Sequence, residues 1–446
     1  MENQLKKKYG LITAIAMVVG IVIGSGVFFK AEAVLKATGG NMPLGIAAWG
    51  IVGLIMIICS YSFATLATKY EKVNGVVDYA ESKYGYYVGW FMAIIYNPTL
   101  TSVLAWVSAR YTCVLLGWDI TGGSCMTIAC FYLVASYALN ALSPIIAGKL
   151  QVATTVVKLI PLMLMAVVGT VVGLTNGMTM HNFSTVVDTS VSSGGGLFTS
   201  VVAVAFAYEG WILATSINAE LIDSKKNLPK ALILGSLIVV FVYIFYYIGL
   251  AVTTETLMES GETGAKIAFQ NIFGAVGGTL IFVFVIISCL GTLNGLMLAC
   301  TRGMYAMAVR DRGFLPETFK QVDNITNMPT NSSVFGVLLC AFWLLYFYGA
   351  NLTDPWFRAF SFDTSELPII TLYAAYIPIF AMVIKKEKDL NTFNRFVMPS
   401  LSILSCVFMV IAACIAHGTA VIYYLIVFAV IMLMGVKFSN TKSTKA

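Results

Sequence analysis

Apolar residues along this chain gather into long runs separated by short polar stretches. Twelve such runs can be read, at roughly 11–35, 43–69, 86–116, 124–142, 148–174, 197–218, 229–253, 274–300, 331–349, 357–384, 395–416 and 419–436. Most exceed the length of about 20 residues that a helix needs to cross the hydrocarbon of a bilayer. The pattern predicts an all-α polytopic membrane protein of twelve transmembrane helices. The first run follows Lys6-Lys7-Lys8, yet it is too long for a signal peptide and has no small-x-small site with a soluble domain behind it. No loop is large enough for a second domain, so residues 1–446 are expected to be a single transmembrane domain.

Two of the runs are interrupted. In span 1, Val22-Ile23-Gly24-Ser25-Gly26-Val27-Phe28 places Gly24 about 20 Å into the run, near the middle of a bilayer. Two glycines flanking a serine weaken a helix where no water can satisfy the freed backbone. Such a break survives where it lines a protein cavity. Span 6 carries a second interruption, Phe206-Ala207-Tyr208-Glu209-Gly210-Trp211, about 12 residues in from the opposite side. Interruptions at positions 1 and 6, entered from opposite faces, are the footprint of a 5+5 inverted repeat, the fold of the leucine-transporter type. The expected division is 11–174 and 197–384 for the repeats, with 395–436 as two extra helices.

Charge adds orientation. The chain is 59% hydrophobic and 11% charged, against about a quarter charged in soluble domains, with a net charge of +6. With the N-terminus inside, 21 of the 27 Lys and Arg fall on cytoplasmic segments and 5 on outer ones. That split predicts both termini in the cytoplasm and assigns the positive charge to topology rather than to nucleic acid. The nine cysteines fall mostly within apolar spans, where they act as small hydrophobes. Cys113 and Cys125 flank one outer loop and could pair, with nothing requiring it. His181 and His417 lie in separate outer loops, which argues against a metal centre; no cofactor is implied.

The remaining ion sits alone. Lys158 lies about 15 Å past the inner-end residue Lys149, at mid-depth, where a lysine faces a partner or a wet cavity. Pro161, one turn later, loosens the same helix, and Asn97-Pro98 predicts a kink in span 3. Span 8 places Ser288, Thr292 and Asn294 at similar depth. Asp363 and Glu366 near the start of span 10 read as a cap or as a gate contact.

At these residues the chain resembles a family. Ile23-Gly24-Ser25-Gly26-Val27-Phe28 is similar to the signature of the amino acid–polyamine–organocation transporters. Phe206-Ala207-Tyr208-x-Gly210-Trp211, Ser288-Cys289-x-Gly291-x-x-Asn294-Gly295 and Arg302 … Gly313-x-Leu315-Pro316 resemble the L-amino acid transporter branch, including its bacterial members. The resemblance covers roughly 70% of the chain. One departure is the loop after span 2, where Glu71-Lys72-Val73-Asn74-Gly75 … Tyr79 replaces the family's Pro-x-x-Gly-Gly-x-Tyr. Cys125 lacks the surroundings of the cysteine that bonds a heavy subunit in eukaryotic members, so no heavy chain is expected; the chain is expected as a monomer or weak homodimer.

Half-helices meeting at mid-bilayer can bind a zwitterion. Ser25, Gly26 and Val27 would hold an α-carboxylate through their N–H groups at a positive helix end, as the resemblance also implies. The carbonyls of Val22, Phe206 and Glu209 would accept from the α-ammonium. By resemblance Phe206 is a lid, and Lys158 replaces a sodium ion by contacting carbonyls near Val19 or Gly20 and the hydroxyls of Ser288 or Thr292. Glu209 has three open roles: partner to a cationic or hydroxylated side chain, protonatable coupling group, or structural acid. The expected function is sodium-independent exchange of small to medium neutral L-amino acids across the cell membrane. A proton-coupled symporter of the same fold is the rival, and a sensor or channel a more distant one. No nucleophile–base pair or metal cluster shares a depth, so an enzyme is not expected.

Overall fold

The computed structural model describes residues 10–70, 76–79, 83–184, 195–323, 325–326 and 328–439. Among these residues the regular structure is all helix, joined by short turns and loops. The first apolar run forms α1 (Leu11–Val22) and α2 (Gly26–Ala37), bent by 43° across residues 23–25. There follow α3 (Met42–Lys69), α4 (Tyr84–Leu116), α5 (Gly123–Leu142) and α6 (Ile146–Thr175). Helix α7 (Gly195–Tyr208) stops at Glu209-Gly210 and continues as a 3-10 helix, Trp211–Glu220. Then come α8 (Ser224–Gly249), α9 (Gly264–Ala308), α10 (Thr330–Ala350), α11 (Leu367–Lys386), α12 (Phe393–His417) and α13 (Ala420–Phe438). Eleven of these helices are long and apolar enough to cross a membrane, and α1 with α2 makes a twelfth.

Burial explains which helices form the centre. Helices α1, α2 and α7 bury their interrupted segments against α3, α8 and α9, and Trp49 of α3 packs edge-on or tilted within 6 Å of the rings of Tyr208, Tyr243 and Tyr247. At the periphery only Tyr424 and Gly435 of α13 are buried, whereas Leu425, Ile426 and Leu433 are exposed. Such an apolar outer surface is stable in lipid and not in water. The chain is therefore a multi-pass membrane protein.

Local chemistry sets the bends. Pro98 lacks an N–H and its ring displaces the carbonyl four residues earlier, and the helix answers with a π-turn over Met92–Tyr96. The freed Ile94 carbonyl accepts from Trp343 Nε1 at 2.9 Å. The expected kink is thus a π-turn, and it rotates Tyr96 toward the centre. Gly210 has φ +101°, a conformation that costs any side chain with a Cβ, which ends α7 at that point.

Span 10 starts at Leu367, ten residues later than its apolar content predicts. Trp356, Phe357 and Phe360 inflate the hydropathy of the preceding loop but sit exposed on it, as aromatics do at a membrane interface. Cys113 and Cys125 are both free, buried thiols. His417 ends α12 rather than lying in a loop, bonded to Glu366. The departure at Glu71 to Gly75 lies outside the described residues.

Candidate functional site

The two interruptions face each other. A Cβ on Gly26 would lie 2.6 Å from the Ala207 Cα, one on Gly24 2.5 Å from Thr292 Oγ1, and one on Gly210 2.9 Å from Ile21 Cγ2. Glycine at these three positions is what lets span 1 come so close to span 6 and α9, down to backbone contact at Gly26 and Ala207. Between them lies a cavity of about 20 Å³, lined by Val22, Gly24, Ser25, Gly26, Phe206, Glu209 and Thr292 together with Leu100, Leu104 and Leu296. That is room for about one water, so an occupant the size of an amino acid enters only if the lining moves.

The N–H groups at the start of α2 are the cavity's main polar feature. Phe28 and Phe29 both donate to the Ser25 carbonyl, at 3.0 and 2.8 Å. The amides of Gly24, Ser25, Gly26 and Val27 find no acceptor among the described residues. Four consecutive donors at a helix N-terminus, where the dipole is positive, make an anion site. The Ser25 hydroxyl beside them is buried and, among the described residues, without a partner.

The carbonyls expected to receive a cation are partly occupied. Tyr243 Oη lies 3.0 Å from the Val22 carbonyl and 3.1 Å from that of Ala207. Having one proton, it serves one of them at a time. Sequence reasoning missed Tyr243; the Tyr243, Tyr246, Tyr247 series in α8 was the only signal, and it reads equally as packing. The Phe206 carbonyl accepts a long bond of 3.4 Å from the Glu209 amide.

Glu209 is 6% exposed. Its Oε1 accepts from Tyr96 Oη at 2.5 Å, the tyrosine that the π-turn delivers, while Oε2 is buried without a partner among the described residues. Phe206 covers the same cavity, its ring edge-on to Phe29 at 6.2 Å.

Lys158 lies behind the break, fully buried. Its Nζ donates to the Gly20 carbonyl and, at 2.8 Å, to Thr292 Oγ1. Thr292 in turn donates to the Ile23 carbonyl at 3.1 Å. A chain of donors thus runs from α6 through α9 to the end of α1. Of the two hydroxyls expected to meet Lys158, Thr292 does so and Ser288 does not: its Oγ is buried with no partner. Ser288 lies one helical turn before Thr292 and misses because Nζ reaches only one level of α9. Gly291 makes the approach possible, since a Cβ there would be 3.0 Å from Lys158 Cε. Asn294 faces away, donating to the Ala147 carbonyl and accepting from Asn140. It ties α9 to α5 and α6 instead of to the break.

A larger cavity, about 320 Å³, opens between α4, α11, α12 and α13. Its walls are almost wholly apolar, including Phe91, Ile370, Ala413 and Phe428. It offers nothing to orient a charged solute. The small polar cavity is the better site.

These features define a class, multi-pass α-helical membrane proteins with a discontinuous first helix packed on a discontinuous sixth. Residues 9–436 match the amino acid permease family, and the chain belongs to that family. It is 31% identical over 388 residues to the serine/threonine exchanger SteT of Bacillus subtilis, covering 86% of this chain and 84% of that one. It is 24% identical over 436 residues to the human b(0,+)-type amino acid transporter 1, covering 96% and 86%. Identity to the human cystine/glutamate transporter is 25% over 327 residues, 72% of this chain and 64% of that protein.

Proposed function

We propose that this chain exchanges L-amino acids across the cell membrane by alternating access, without sodium. The observation that carries the reading is the row of four amides from Gly24 to Val27, unpaired among the described residues, the first three of them on residues that line the polar cavity. They supply a carboxylate site common to all α-amino acids. The Val22, Phe206 and Glu209 carbonyls opposite them take the ammonium, and Phe206 closes over the pair. The frame is a 5+5 inverted repeat, 11–174 and 197–384, followed by two helices, acting as a single chain with both termini inside. Membership of the amino acid permease family and the likeness to a serine/threonine exchanger support this.

The substrates are small and neutral, with hydroxylated side chains favoured. A cavity walled by Leu100, Leu104 and Leu296 suits short side chains, and Glu209 Oε2 is an unused acceptor for a hydroxyl. Glu209→Gln keeps an oxygen for Tyr96 and replaces that acceptor by an amide donor. The preference for serine or threonine over alanine is then expected to fall about tenfold, the worth of one good hydrogen bond. Competition uptake measures it, and an unchanged ratio would leave Glu209 as a structural acid.

The decisive test is counterflow in proteoliposomes. Labelled serine should enter vesicles loaded with unlabelled serine and not empty ones, with sodium replaced by choline. The second reading is proton symport, favoured by a buried acid on the cavity wall. It requires uptake into empty vesicles driven by a pH gradient.

A further inference from the structure

We propose that Lys30, Glu366 and His417 form a latch over the Phe206 lid, and that a proton taken up by His417 helps to release it. The proposal rests on the reading of Phe206 as a lid. Three elements distant in sequence meet here. Lys30 Nζ, from α2, lies 2.6 Å from Glu366 Oε1 and 3.0 Å from Ser365 Oγ, just ahead of α11. The other carboxylate oxygen, Oε2, lies 2.9 Å from Nε2 of His417 at the end of α12. The Lys30 ammonium also sits over the rings of Phe29 and Phe206, 5.1 and 5.3 Å from their centroids.

Burial gives the contact its force. Lys30 is 4% exposed and Glu366 8%, and a buried charge parted from its partner is costly. Phe206 cannot lift without sliding past the ammonium that rests on it. Lys30 is therefore a positioning residue: it holds the lid by joining the half-helix beneath it to the head of α11. Span 10 has a similar contact at its other end, where Lys69 and Tyr70 bind Glu387 at 2.5 and 2.6 Å. Burial works to raise the Glu387 carboxyl, and those two hydrogen bonds outweigh it and hold it below the ordinary range.

The sign of the proton effect follows from the charges. The ionisable groups acting on His417 are Glu366 and Asp363, ahead of α11, and Lys30, on α2. Burial disfavours a proton on the imidazole, the carboxylates favour it and the ammonium opposes it. When Lys30 departs, the opposition ends and Glu366 is left needing a cation, so the open latch binds the proton more tightly. By linkage, acid then favours opening. An imidazole bonded to a carboxylate titrates above the ordinary value near 6.5, which sets the window at about pH 6.5–8.5.

The test reads opening without any transport. Leu104→Cys places a thiol on the cavity wall, in a background with the exposed Cys130 and Cys414 changed to alanine. A membrane-impermeant thiosulfonate is applied to the face that carries residue 366. Lys30→Gln is expected to speed labelling about fivefold or more, with Lys30→Arg close to the parent. Glu366→Gln, which keeps shape and hydrogen bonding, should match Lys30→Gln and stands in for it if that variant does not reach the membrane. Between about pH 8.5 and 6.5, labelling of the parent relative to a His417→Gln variant should rise about threefold. Equal rates in parent and Lys30→Gln, or in parent and Glu366→Gln, would overturn the latch, and a flat ratio would overturn the role of His417. A chain that moves no amino acid yet labels in this Lys30-dependent way would sink the transport reading and leave the latch standing.

Discussion

Gly26→Ala is expected to lower exchange at least about tenfold while the protein still reaches the membrane. The added Cβ would lie 2.6 Å from the Ala207 Cα and 3.2 Å from its Cβ, so the neighbour that has to yield is backbone. Overpacking of this kind costs about 1–3 kcal/mol, and here the strain falls on the joint between the two interrupted spans. Relief requires α2 to move off α7, which displaces the four free amides from the carbonyls that face them. A shift of the order of 1 Å is enough to lose an aligned set of hydrogen bonds. Gly50→Ala is the control, because nothing lies within 4 Å of a Cβ there. Alanine in that helix interior should be neutral or stabilising by up to about 1 kcal/mol. Uptake rate and thermal stability in detergent, measured on both variants, separate a site effect from a folding effect. Equal activity in the two would mean that the contact between the spans does not matter.

The contrast between these glycines shows what the sequence can and cannot reveal. Gly24 and Gly26 were legible because a second interruption of the same kind, at Glu209-Gly210, lies at matching depth in span 6, and Lys158 because a lone lysine at that depth needs a partner. Which hydroxyl it would find was not legible. Ser288 and Thr292 are one helical turn apart on the same face of α9, and only the axial offset between α6 and α9 decides for Thr292. Tyr96 escaped notice for a related reason: the proline that turns it toward Glu209 signals a bend but not its direction. The ring of Lys30, Glu366 and His417 was hidden more deeply. Its lysine and carboxylate are 336 residues apart, and each reads alone as an ordinary residue near the end of a span. The loop aromatics Trp356 to Phe360 misled in the opposite sense, since hydropathy counts a ring as buried wherever it sits.

Lys158→Ala is expected to cut exchange at least about tenfold with normal membrane levels, and sodium is not expected to restore it. The lysine is the only donor the described residues offer to the Gly20 carbonyl besides a 3.3 Å contact from Gln151. It also orients Thr292, whose proton then goes to the Ile23 carbonyl. Both carbonyls belong to the frayed end of α1, where helical hydrogen bonding has stopped. Removing the lysine leaves a buried acceptor with only the long Gln151 bond, a loss of up to about 1–3 kcal/mol, and frees Thr292 to turn away from Ile23. Because Lys158 ties α6 and α9 together at the break, the loss should appear in the rate at which the site changes sides more than in the affinity of either side. Thr292→Val tests the same chain from its other end: it keeps the volume, removes the relay, and should give a milder fall in the same direction. A double variant no worse than Lys158→Ala alone would show that the two act in series. Normal exchange kinetics in Lys158→Ala would mean that the break is held open by packing alone.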